Sequence, residues 1–147
     1  MAFKNELSVQ EYVYDFSVDG GSTAAAIVLS SKANKSVLPS GAVVKSVYMK
    51  VLTTFTSGGS ATLAWGNTSD PDGYSGAALA VASLTAGSVF NGYDNAAALL
   101  WDDTNDHPIY FSAESAGLQD VSVTIGTADM TAGKCVVVVE YCLPEGA

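Results

Sequence analysis

Hydrophobic and polar residues alternate with a period of two along much of this chain. Residues 9–18, VQEYVYDFSV, put Tyr12, Tyr14, Phe16 and Val18 on one face. Glu11, Asp15 and Ser17 fall on the other, with Val13 among them. That is the pattern of a half-buried strand. Asp19-Gly20-Gly21 reads as a turn, and TAAAIVLS (23–30) as a second strand, although its alanines leave a helix open. After a loop ending in Pro39 and Gly41, residues 42–56 (AVVKSVYMKVLTTFT) form a long β-rich run. Val43, Lys45, Val47, Met49, Val51, Thr53 and Phe55 make one set, and Val44, Ser46, Tyr48, Lys50, Leu52 and Thr54 the other. Apolar residues on both sets suit a strand central to a sandwich.

The pattern continues in short pieces. Ser57-Gly58-Gly59-Ser60 closes a hairpin into ATLAWGN (61–67), where Ala61, Leu63 and Trp65 share a face. TSDPDGYSGAA (68–78) is a loop. Leu79–Leu84 and Ser88–Phe90 read as short strands, and residues 91–101 leave room for a helical turn. DDTNDHP (102–108) is an acidic turn, IYFSAE (109–114) a strand and VSVTIG (121–126) another. TADMTAGK (127–134) reads as a turn before a last strand, CVVVVEYC (135–142). Eight or nine short strands with turn signals at close intervals, and no helix beyond two turns, predict an all-β fold: an antiparallel β-sandwich, jelly-roll-like. Residues 1–20 read as an N-terminal arm and first strand, and residues 21–147 as one β-sandwich domain.

Composition narrows the function. At 147 residues, 48% hydrophobic and 14% charged, the chain has the make-up of a folded domain with a real core. Its formal charge is −9, from 15 acids against 6 bases, and every base is a lysine. An arginine-free acidic chain lacks the basic face that grips phosphate backbones, so nucleic acid is not an expected partner. No apolar h-region with a cleavage site opens the sequence, and no run approaches the roughly 18 apolar residues of a membrane span. The expectation is a soluble protein made in a cytoplasm. Cys135 and Cys142 on one strand lie more than roughly 20 Å apart at about 3.3 Å per residue, too far for a disulfide. They read as free thiols suited to a reducing origin.

Candidate chemistry is sparse. The single histidine, His107, precedes Pro108 with no nucleophile elbow around it. Asp70, Asp72, Asp94, Asp102, Asp103 and Asp106 fall in loops, where aspartate belongs in any β protein, and no spacing singles out a general acid and a nucleophile. No enzyme activity is expected, and no cofactor. NTSDPDGY (67–74) has oxygen ligands at alternate positions before a glycine, as a calcium loop does. It supplies two carboxylates where calcium takes six to eight oxygens, and Asp-Pro-Asp-Gly is also a plain type I turn. Whether the acidic loops around Asp70 and Asp103 hold calcium, meet a basic partner or only face solvent stays open at this level. Trp65, Tyr74, Tyr93 and Trp101 flank these loops. They are candidates for stacking on sugar rings, as in a carbohydrate-binding module, or for packing in the core.

Three stretches together resemble a known family. Pro39-Ser40-Gly41-Ala42-Val43-Val44 leads into the long strand. GGSATLAWG (58–66) leads an acidic Pro-Gly loop. Thr131-Ala132-Gly133-Lys134 leads VVVVEY (136–141). Over roughly residues 38–142 the chain looks like a β-sandwich module that recurs among virion proteins of tailed bacteriophages. Its members serve as capsid decoration (cement) proteins and as head or neck accessories. The resemblance implies a structural protein on the capsid surface that binds the major capsid protein and itself, commonly as a homotrimer, with an N-terminal arm reaching over neighbours. A neck, tail or fibre component is the nearest alternative. In this setting Tyr12, Tyr14 and Phe16, and one of the two apolar sets on the long strand, become candidate interface residues, because aromatics are enriched in interface cores.

Overall fold

The first strand of the chain pairs with the last. In this computed structural model, which describes residues 7–23, 26–91, 111–112 and 119–144, β1 (Leu7–Asp15) runs antiparallel to β9 (Met130–Cys142), from Leu7 opposite Cys142 to Asp15 opposite Lys134. The nesting continues inward. β2 (Ile27–Val28) pairs β8 (Ser122–Gly126), β3 (Val43–Ser57) pairs β6 (Val89–Asn91), and β4 (Thr62–Gly66) pairs β5 (Leu79–Ala80). Two further ladders, β9 on β3 and β8 on β4, join these ribbons into sheets of order β1-β9-β3-β6 and β2-β8-β4-β5. β7 (Phe111–Ser112) adds to β3 at Val43 and Val44. A doubled ribbon, first strand against last and second against second from last, wrapped into two sheets, is a jelly roll. The all-β sandwich expected from the alternation is the fold observed.

Between the sheets lies one apolar cluster. The sheet of β1, β9 and β3 contributes Tyr12, Tyr14, Val47, Met49, Val51, Cys135, Val137 and Val139. The other contributes Leu63, Trp65, Val123 and Ile125. The Trp65 ring meets Phe90 with centroids 6.3 Å apart, and Tyr14 stacks on Phe55 at 5.7 Å. Buried tyrosines need a partner for the hydroxyl. Tyr14 donates to the Gly20 carbonyl at 2.7 Å and Tyr12 to that of Ser36 at 2.8 Å. Burial pushes the Tyr14 hydroxyl up to about 12 and Tyr12 above the usual tyrosine range, so both rings stay neutral. The two cysteines are free, Cys135 buried and Cys142 half-buried.

Four sequence expectations fail for local reasons. The strand expected to run through Val18 stops at Asp15, whose carboxylate accepts from the Ser17 backbone N–H at 3.0 Å and caps a single helical turn, Phe16–Asp19. Phe16 still packs on the core, but Val18 is 72% exposed rather than facing inward. On β3 the expected set breaks at Val43 to Lys45. A register shift between Val44 and Ser46 reverses the phase, so Val44 is buried and Lys45 exposed. The expected turn 127–134 is shorter, since β9 already begins at Met130. Gly133 sits inside that strand at φ +142°, because a Cβ there would overlap the Phe55 ring. The second strand is also brief: Ile27 and Val28 pair with β8 before a 3-10 turn at Leu29–Ser31.

Candidate interaction surface

The acidic rim loop is built to hold itself. The Asn67 side-chain oxygen accepts from the N–H groups of Ser69 (3.0 Å) and Asp70 (2.8 Å), an Asx turn. The Asp70 carbonyl accepts in turn from Asn67 and Gly73, each at 3.0 Å. This carbonyl lies over Gly66, where a side chain would overlap it. Tyr74 and Ser75 then return to β4, both donating to the Trp65 carbonyl, and Thr68 reaches the Asp120 carboxylate at 2.9 Å. Burial, with a hydrogen bond and charge from Asp72, pushes the Asp70 carboxyl up to about 6. Among the described residues no group of three or more histidine, cysteine, aspartate or glutamate side chains is placed to hold a metal ion.

Most of the aromatic candidates are inside. Tyr12 and Tyr14 are 0% exposed, and Trp65 and Tyr74 are 1% exposed. A stacking platform needs an open ring face, and these four rings lie in the core. Phe16 is half-buried against the same cluster. Tyr93 and Trp101 lie outside the described residues, as do His107, Asp94, Asp102, Asp103 and Asp106.

The second apolar set of the long strand does reach a surface. β1, β9, β3 and β6 turn their other face away from the core, and the register assembles it row by row. Leu7, Cys142 and Val43 lie side by side, then Val9, Glu140 and Ser46. The next rows are Glu11, Val138, Tyr48 and Asn91, and then Val13, Val136, Lys50 and Val89. Leu7 (55%), Val9 (54%), Val89 (58%) and Leu52 (43%) are all exposed. Val138 is buried yet stands apart from the core cluster, at the middle of this outer face. Polar groups break the apolar field: Ser46 donates to Glu140 at 2.8 Å, and Lys134 lies 3.5 Å from Asp15 at one end. The signal for this face was the doubly apolar pattern of β3 and the unbroken Val136–Val139 run. A single alternating core face requires neither.

No family model matches the sequence, and no curated protein matches it. Among solved structures, a chain of the cyanophage Pam1 capsid asymmetric unit is similar over 98% of this chain and 89% of that chain, with a TM-score of 0.61 and 18% identity. A chain of the acidic stable capsid structure of Helicobacter pylori bacteriophage KHP30 aligns over 97% of this chain and 92% of that one, at 14% identity and a TM-score of 0.43. The likeness to the Pam1 capsid chain is one of fold: its length and course match this jelly roll nearly from end to end.

Proposed function

We propose that this chain is a structural protein of a tailed-phage virion and, within that class, a capsid decoration protein that seats on the shell of major capsid protein. The observation that carries the reading is the outer face of the β1-β9-β3-β6 sheet. It presents Leu7, Val9, Leu52 and Val89 to solvent on a rigid, regularly spaced surface. Exposed apolar side chains mark interaction sites when they share one face, and their mixture with Glu140, Ser46 and Lys50 on this sheet suits a non-obligate protein interface. The fold shared with a chain of a phage capsid asymmetric unit supports the same setting. The chemistry required is binding alone. Apolar area buried between this face and adjacent capsomers, in several copies such as a trimer, sums weak single contacts into firm attachment. Bridged capsomers then resist the outward pressure of packaged DNA. No catalytic step enters.

The experiment is co-sedimentation of the purified protein with empty heads of its own virion, followed by thermal melting of the decorated heads. The reading expects saturable binding and a higher shell melting temperature. Binding to tails or necks but not to heads would move the protein to another part of the virion, and no binding to any particle would remove the virion role.

A further inference from the structure

We infer that the free edge of β1 pairs with the same edge of a second copy, antiparallel about a two-fold axis at Val9. β1 is an edge strand, bonded on one side to β9. At its C-terminal end the other side is closed by side chains: the Lys32 ammonium donates to the Val13 carbonyl at 2.7 Å, and the Asp15 N–H donates to the Asp19 carboxylate at 2.8 Å. These two contacts also show which residues aim their backbone outward. Alternation along the strand gives Leu7, Val9 and Glu11 the same direction, and among the described residues nothing bonds to their outward N–H and C=O groups. Natural proteins block such edges. This one blocks Val13 and Asp15 and, among the described residues, leaves the five from Leu7 to Glu11 open. Beside them a groove of about 510 Å³ separates the strand from Asn34, Lys35 and Ser36, so the neighbouring loop does not occupy the edge.

The open stretch is self-complementary. With the axis at Val9, Val9 faces its own symmetry mate and Leu7 faces Glu11 of the other copy. Each of these three pairs can exchange two backbone hydrogen bonds. Pairing ends at Glu11, where Lys32 already occupies the next outward carbonyl. An axis at Glu11 would instead oppose two carboxylates, a destabilising cross-strand pair. An axis at Val9 brings together the exposed side chains of Leu7 and Val9 from both copies on the outer face, and it aligns the polar Ser8 and Gln10 on the other. Such a contact is isologous, so it does not build a trimer. It joins two copies through the backbone edge of β1, whereas the proposed shell contact uses the sheet face.

Cysteine cross-linking in a Cys142→Ser background tests it. Directly opposed residues in a hydrogen-bonded pair have Cα atoms about 5.5 Å apart, within disulfide range. Under mild oxidant Val9→Cys is expected to give a covalent dimer. Glu11→Cys alone is expected to stay monomeric on a denaturing gel, and a mixture of Glu11→Cys with Leu7→Cys to cross-link. The pairing is overturned if Val9→Cys keeps its native circular dichroism yet forms no dimer, if Glu11→Cys cross-links to itself as readily, or if Val9→Cys joins only a different protein in assembled particles.

Discussion

Gly133 shows how one residue sets the course of a strand. It lies near the start of β9 at φ +142°, under the Phe55 ring, and the β3–β9 register shifts on either side of Thr53 let Phe55 fit there. Gly133→Ala would meet both a backbone region that L residues avoid and a ring with no room. A loss of roughly 2–4 kcal/mol is expected in urea unfolding, and a loss below about 1 kcal/mol would mean that the ring moves aside freely. Asp70 gives a prediction in pH. Its folded carboxyl titrates near 6, above the unfolded value of 3.8, so the folded state binds the proton more tightly. Stability from this group is therefore complete below pH 3.8 and is lost as pH rises through 6. Asp70→Asn removes that penalty. It should be more stable than the wild type at pH 8, by on the order of 1 kcal/mol once solvent screening of a partly exposed pair is allowed for, and the two should converge near pH 4. An unchanged difference between pH 8 and pH 4 would count against the raised carboxyl. Neither property shows in the residue types alone. Gly133 reads as a turn residue until β9 is known to pass beneath Phe55, and Asp-Pro-Asp-Gly reads as a turn whatever its protons do.

At the scale of elements, β3 divides its two faces between two tasks. Met49 belongs to the core and Leu52 to the outer face, where it is 43% exposed. Met49→Ala should cost roughly 2–5 kcal/mol of stability, as core truncations do. Leu52→Ser should cost under about 1 kcal/mol and yet weaken attachment to heads. Equal stability losses at the two positions would contradict the division. Strand identity was legible wherever alternation ran undisturbed, as in Val121, Val123 and Ile125 or in Tyr12 and Tyr14. It failed where a local hydrogen bond or a bulge outweighed periodicity. The Asp15 cap turned Phe16 and Val18 out of the strand, and the shift after Val44 reversed the phase of Val43 and Lys45. The aromatic candidates misled for a related reason. A tyrosine or tryptophan on a strand's apolar face has the same sequence signature in a core as on an open platform, and Trp65 and Tyr74 fill the core.

At the scale of the molecule, nested pairing of first strand with last places both ends of the described chain on one sheet, whose far face exposes Leu7, Val9, Leu52 and Val89. Sequence carried the sandwich, but not this consequence, because which sheet receives β1 depends on the β1–β9 ladder, a pairing between residues over a hundred positions apart. Among the described residues one surface thus combines exposed apolar side chains with an unpaired strand edge, and the proposed attachment would bury the former. The most direct test is an image reconstruction of the intact particle at a resolution that traces the chain. Leu52 and Val89 are expected to face the major capsid protein, with the rim loop at Asn67–Tyr74 away from it. A particle in which that sheet face looks out to solvent while the rim loop or the β2-β8-β4-β5 sheet makes the contact would contradict the account.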